Sequence, residues 1–329
     1  MYICEQLLAP DERRLRLTAQ LGVQNVVIDT GEKGAWDAGR LRDYRAWVGG
    51  HGLKLDGLTL ALGSVLLDSM TDLESARARR QLLADNIRKA ADAGIECLKY
   101  DVQMSGVTRT ASTPGRGGVE NPGFVHAEHR LEAGQKVAGH RTTVSEVSAW
   151  NAIEFLLEGL LPAADAAGVR LACLPHDPAY PIGGLDGIEH VLGSPDGLRR
   201  FLALSPSRHH GLNFCQGGVA AMFKEPGKAM IPVIEEFAAT GRIFLVRFRN
   251  IRGGYLAFQD VFPDEGDVDM FQAVKAYQRG GYAGPLCPDS TPLSGLDEGS
   301  ERFSAFAVGY TRGLLQAAGA WSTIGQPAG

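Results

Sequence analysis

The sequence predicts a single (β/α)8 barrel, and three observations carry that reading. Eight short β-rich runs alternate with eight helical patterns along all 329 residues, the count at which a parallel sheet with helical crossovers closes on itself. No composition shift marks a linker and no internal repeat divides the chain, so residues 1–329 are read as one domain. No Gly-x-Gly-x-x-Gly follows the first strand-like run, which leaves a doubly wound dinucleotide-binding sheet as the weaker alternative.

The strand-like runs are 2–8, 25–29, 53–60, 95–102, 169–174, 210–215, 243–248 and 284–289. Between them lie helical stretches at 10–21, 38–50, 72–93, 145–167, 195–204, 224–240, 267–279 and 304–317. The third helix is the clearest, with Leu73, Ala76, Leu82, Leu83, Ile87 and Ala90 on one face and charged residues opposite. Gly22, Gly94, Gly168 and Gly241 follow four of the helices, where a left-handed residue commonly ends the turn. Ser145 before Glu146 and Ser194 before Pro195 carry the side-chain acceptor and the first-turn residue of helix starts. Residues 103–144 break the rhythm. They lack periodicity, carry His126, His129 and His140, and are read as a long inserted loop, either an active-site lid or an oligomer-contact arm.

Composition narrows the function. The chain is 44% apolar and 22% charged with a net charge of −5, which argues against a nucleic-acid partner. No run of about 18 apolar residues is present, so no membrane partner is expected. The start, Met1-Tyr2-Ile3-Cys4-Glu5, lacks the basic residues and apolar run of a secretory signal. Five widely spaced cysteines are not a disulfide framework, and a cytoplasmic location is expected.

In such barrels the active site is built at the C-terminal ends of the strands. Asp29 ends the second strand, Lys99 and Asp101 lie on the fourth, and the fifth runs into His176 and Asp177. Cys215 ends the sixth strand, Arg247, Arg249 and Asn250 mark the seventh, and Asp289 ends the eighth. Cys215, Asp289 and His176 are candidate ligands for a divalent metal such as Mn2+ or Zn2+. The fixed charge of Arg247 works against a cation at the same place. Arg109, Arg247 and Arg249 offer planar forks that pair with a carboxylate substrate, and each is equally a structural salt-bridge partner.

Several stretches together resemble the mannonate dehydratase family, a group of xylose-isomerase-like barrels. They are Leu21-Gly22-Val23-Gln24-Asn25-Val26-Val27, Tyr100-Asp101 with Thr108-Arg109-Thr110, and Pro175-x-Asp177-Pro178 with Pro181-Ile182-x-Gly184-Leu185. Gly211-Leu212-Asn213-Phe214-Cys215-x-Gly217, Arg249-Asn250-Ile251, Gly266-Asp267-Val268-Asp269-Met270 and Pro288-Asp289 continue the match. The resemblance implies a carbon–oxygen lyase that removes water from D-mannonate with a divalent metal, typically Mn2+. It carries Cys215 and Asp289 over as metal ligands; Tyr100, Arg109, Arg247, Arg249 and Asn250 are the expected substrate-binding residues. The sequence is identified as a divergent member. Leu174 and Arg247 stand where the family has two histidine ligands, so the metal is expected to be altered or absent. Ser290 stands where the family has a further histidine, and Glu298-Gly299-Ser300 where it has a glycine-tyrosine segment.

The expected function is therefore a lyase on a sugar-acid-like or other small carboxylate, acting by proton abstraction and elimination, with Asp289 and His176 as proton-transfer groups. A non-catalytic barrel that binds a small acid or a protein partner is the alternative, and an isomerase of the xylose-isomerase-like superfamily the second. A homo-oligomer is expected.

Overall fold

The structure is a computed structural model that describes residues 1–105, 109–129, 143–180, 184–185, 187–289, 292–297 and 300–321. Of the positions singled out above, Thr108, His140, Pro181, Ile182, Ser290, Glu298 and Gly299 lie outside the described residues. The first half runs β1 (Tyr2–Leu8), α1 (Glu12–Gln20), β2 (Asn25–Asp29), α2 (Ala38–Gly49), β3 (Lys54–Thr59), α3 (Val65–Thr71), α4 (Leu73–Asp92) and β4 (Cys97–Asp101). It continues through β5 (Thr110–Pro114), β6 (Glu120–Val125), α5 (Glu146–Ala167) and β7 (Arg170–Leu174). The second half runs α6 (Pro195–Ala203), β8 (His210–Cys215), α7 (Gln216–Ala220), α8 (Pro226–Ala239), β9 (Ile243–Phe248), β10 (Ile251–Gly254) and β11 (Ala257–Asp260). It ends with α9 (Met270–Arg279), β12 (Pro285–Pro288) and α10 (Glu301–Ala317).

Eight parallel strands close in the ring order β1-β12-β9-β8-β7-β4-β3-β2. These are the eight strand-like runs of the sequence, none trimmed by more than three residues. Helix punctuation follows the sequence as well. Ser145 and Ser194 accept from the backbone N–H of Ser148 and Gly197 at 3.2 and 3.0 Å. Gly168 closes α5 at φ 69°, a conformation that costs other residues a Cβ clash. On α4, Ala76, Leu83, Ile87 and Ala90 are buried, while Leu73 is 45% exposed because it opens the first turn beyond the Asp72 cap.

Inside the ring, Cys4, Val27, Cys97, Ala172, Leu245 and Cys287 pack together. Six different strands contribute one residue each, which only inward-facing positions of a closed barrel allow. All five cysteines are buried and free. Outside the ring, the second cluster of apolar residues fills the space between strands and helices, with Ile153, Leu156 and Leu160 of α5 fully covered.

A second, antiparallel sheet departs from the sequence reading. Its order is β10-β11-β6-β5, so the hairpin after β9 joins the segment after β4. Part of residues 103–144 is thus ordered strand rather than an unstructured loop. Thr110-Ala-Ser-Thr-Pro114 and Glu120-Asn-Pro-Gly-Phe-Val125 carry no apolar alternation, because much of this sheet faces solvent and Phe124 and Phe258 supply its packing.

Four charged side chains fasten this sheet to the barrel. Arg249, just past β9, pairs with Asp177 at 2.8 Å and with Asp260 at the end of β11 at 3.2 Å. Arg109, just before β5, pairs with the same two carboxylates at 3.1 and 3.2 Å. The side chains of Arg249, Asp177 and Asp260 are only 1%, 5% and 4% exposed. Two cations and two anions cancel, which is the condition for burying charge at tolerable cost. Gly217 belongs to this clasp, since a Cβ there would stand 2.3 Å from Arg249 Nε.

Removing one member leaves buried charge uncompensated. Arg249→Met is expected to lower unfolding free energy by about 3–5 kcal/mol, read from urea denaturation; a loss near zero would refute the clasp. The clasp also sets an acid limit. Burial on its own would raise the Asp177 pKa, but Arg249 and Arg109 overcome it and hold the carboxyl well below the usual range. A depressed folded pKa gives stability that is present above the unfolded value of about 3.9 and is lost as pH falls through the folded one. Thermal midpoints of the wild type should therefore fall below about pH 4, and Asp177→Asn should be less stable at neutral pH with a shallower acid decline.

Candidate functional site

Every strand of the barrel contributes to one cavity of about 310 Å3 at its C-terminal mouth. Gln6 comes from β1, Asp29 from β2, Thr59 from β3, and Lys99, Tyr100 and Asp101 from β4. Leu174 comes from β7, Asn213 from β8, Arg247 from β9, and Asp289 directly follows β12. The strand-end rule explains this convergence: parallel strands turn the same end toward one opening, so polar residues there face a common space.

Arg247 and Asp289 form the site's ion pair, with Nη2 2.6 Å from Oδ2. Packing around Arg247 opposes its charge, yet Asp289 and then the Cys215 thiol more than compensate, so the guanidinium stays protonated. Both side chains remain about a fifth exposed to the cavity, 23% and 19%. Lys99 donates from Nζ to Gln6 Oε1 at 3.0 Å, and Gln6 Nε2 donates to Asn213 Oδ1 at 3.4 Å. Burial, and next the Arg247 charge, push the Lys99 pKa down, with Asp29 acting in the opposite sense. Burial raises the pKa of Asp101 against the backbone N–H of Gln103 and the charge of Lys99. The Tyr100 hydroxyl sits beside the Cys173 thiol, and burial first, then Cys173, drives its pKa far up.

The expected metal set does not assemble. His176 lies beyond β7, 1% exposed and edge-on to His190 with ring centroids 5.0 Å apart, and it does not line the mouth cavity. Pro175 ends the strand between Leu174 and His176, so the two-residue alternation that would return the imidazole to the cavity is lost. Among the described residues, neither ring nitrogen makes a well-formed hydrogen bond, although the backbone of Val102 and His190 favours the protonated ring slightly. Burial, followed by His190, pushes its pKa down to about 3. Cys215 Sγ accepts from the Gly218 backbone at 3.4 Å and caps α7, and burial raises its pKa against Arg249 and Arg247. Asp289 is held by Arg247. Among the described residues, no three His, Cys, Asp or Glu side chains are arranged to hold a metal ion. The donors present among the described residues therefore do not fit the divalent metal that the resemblance implies.

Two further expectations are corrected. Arg249 does not line the cavity, because Asp177 and Asp260 occupy its guanidinium within the clasp. Asn250 is 2% exposed and spent on the backbone: its Nδ2 donates to Pro263 O and Val268 O, and its Oδ1 accepts from the N–H of Ile251 and Val268. Both lie past the end of β9, where the chain turns toward β10. Arg109 is part of the same clasp. Tyr100, Arg247 and Asp289 line the mouth cavity. Gln6 and Asn213 were not singled out by the sequence. The signal for Asn213 was available, two residues before Cys215 on one strand and so on the same face.

The comparisons agree with this architecture. The sequence family described as D-mannonate dehydratase (UxuA) matches residues 85–326, well over half of the chain. Mannonate dehydratase 2 of Halalkalibacterium halodurans is 25% identical over 331 residues, spanning 90% of this chain and 92% of that protein. A mannonate dehydratase of Streptococcus suis is 28% identical over 208 residues, 60% of this chain and 54% of its own. The crystal structure of mannonate dehydratase from Streptococcus suis serotype 2 superposes over 100% of this chain and 97% of its own, with a TM-score of 0.87 at 23% identity. A D-tagatose 3-epimerase-like protein, at a TM-score of 0.62 and 12% identity over 97% of this chain and 98% of its own, shares the barrel fold alone. The fold is thus a xylose-isomerase-like barrel, and the chain belongs to the D-mannonate dehydratase family of hydro-lyases.

Proposed function

We propose that this chain is a lyase that binds a small, sugar-acid-like carboxylate at the barrel mouth and eliminates from it without the family's metal centre. The observation that carries this reading is Arg247, a fixed cation at the position of a family histidine, in an ion pair with Asp289 inside the cavity. A guanidinium engaged by one carboxylate retains donors for a second, the substrate's. Asp289 then stands beside the bound acid as a proton acceptor, and Asp101, whose pKa is raised, stands as a second proton-transfer group. Tyr100 and Leu174 give the cavity its apolar wall. His176 is too enclosed for proton transfer to this ligand.

Buried free thiols suit a reducing cytoplasm. Among the described residues, no helix is long and apolar enough to cross a membrane.

Two measurements test the reading. A panel of sugar acids that includes D-mannonate, assayed for release of a 2-oxo acid product, should give turnover that survives dialysis against a chelator. Stoichiometric Mn2+ or Zn2+ by elemental analysis, with activity lost on chelation, would sink the metal-free version. Melting shifts across the same panel without product would favour the non-catalytic binder. Arg247→Leu should raise KM about 10-fold or more, since a charge-assisted hydrogen bond contributes roughly 1.5–3 kcal/mol and about 1.4 kcal/mol is tenfold; an unchanged KM would remove Arg247 from substrate binding.

A further inference from the structure

Lys99 is placed unlike a structural lysine. Its ammonium carbon chain leaves the middle of β4 and ends in the mouth cavity, where its hydrogen-bond partner is the neutral amide of Gln6. Among the described residues, no carboxylate lies within ion-pair distance of Nζ, although Asp29, Asp101 and Asp289 line the same cavity. The charge that acts on it most strongly is another cation, Arg247, with Asp29 and Asp289 opposing. Gln6 is itself fixed by Asn213, so the amine is held from β8 through β1 rather than left to swing. A lysine amine enclosed beside a second cation and hydrogen-bonded to a neutral amide rather than ion-paired is the arrangement that makes this side chain a nucleophile toward carbonyl carbon.

We propose that Lys99 forms an imine with the carbonyl carbon of a 2-oxo acid whose carboxylate is paired to Arg247. This rests on the proposed reading that the mouth takes a small carboxylate, and it names the substrate class and the activating group. The amine nitrogen attacks C2, and the carbonyl π electrons pass to oxygen, which is protonated to give a carbinolamine. Loss of that oxygen as water, with both amine protons leaving nitrogen, gives the neutral imine; no oxidant, reductant or co-reactant is consumed. Protonation of the imine makes it an electron sink, so a proton on the adjacent C3 is acidified and passes to an aspartate carboxylate at the mouth. The burial and the Arg247 charge that depress the Lys99 pKa favour the neutral amine the first step needs. Arg247 acts twice, anchoring the acid and keeping the nucleophile uncharged.

The test is reductive trapping on the full-length protein. Wild type is incubated with pyruvate and sodium borohydride, digested, and its peptides weighed. The expected result is a reduced pyruvate adduct on the peptide that carries Lys99, saturable in pyruvate and lost in Lys99→Met. Because the adduct is mapped on the wild type, the result stands even where the variant folds poorly. Absence of an adduct, or one spread equally over exposed lysines such as Lys54 and Lys228, overturns the proposal. Sugar-acid turnover without trapping overturns the imine and leaves the lyase reading intact. Trapping without elimination from any acid in the panel supports the imine and removes the lyase reading.

Discussion

The cluster of Arg109, Arg249, Asp177 and Asp260 is the constraint around which the upper half of the molecule is arranged. Each carboxylate is met by both guanidinium groups, and the four side chains come from the loop before β5, the end of β9, the segment after β7 and the end of β11. Three of them are almost wholly removed from solvent, where an unpaired charge is far more expensive than a paired one. The antiparallel sheet therefore cannot drift from the barrel without exposing or separating charges. The small sheet is held by this complementary charge together with Phe124, Phe258 and Ile251, which join the main apolar core.

Below this clasp, the chemistry of the mouth is organised by one guanidinium, which binds a carboxylate directly and repels other cations. Asp289 pairs with Arg247, Cys215 caps a short helix, and Lys99 experiences a neighbouring positive charge. A cation that is covalently part of the chain polarises its surroundings without coordination geometry. It can orient a carboxylate, but it cannot bring two substrate oxygens onto one Lewis acid as a metal does.

Much of the barrel was legible because its signals are local. Val26, Val27 and Ile28 mark a buried stave on their own, and Gly168 or Ser194 marks a helix end without reference to the rest of the chain. The second sheet was not legible, because Phe124 and Phe258 pair across more than a hundred intervening residues and the strands around them read as turn composition. The site divides the same way. Lys99, Asp101, Arg247 and Asp289 lie within or directly at the ends of staves, so the strand-end rule locates them. His176, Arg249 and Asn250 lie one or two residues beyond, where the backbone has left the strand and its alternation no longer says which way a side chain points. Sequence also cannot tell an arginine that waits for a substrate from one already met by two aspartates.

The link from Lys99 through Gln6 to Asn213 spans the barrel from β4 to β1 to β8, strands that are not neighbours in the ring. Its three members are therefore tied by a shared hydrogen-bond ledger and not by adjacency in sequence or sheet. Physically they form one unit. An apolar residue at position 99 would leave the Gln6 amide oxygen without its donor inside the mouth, so a change at any one of the three positions is felt at the other two.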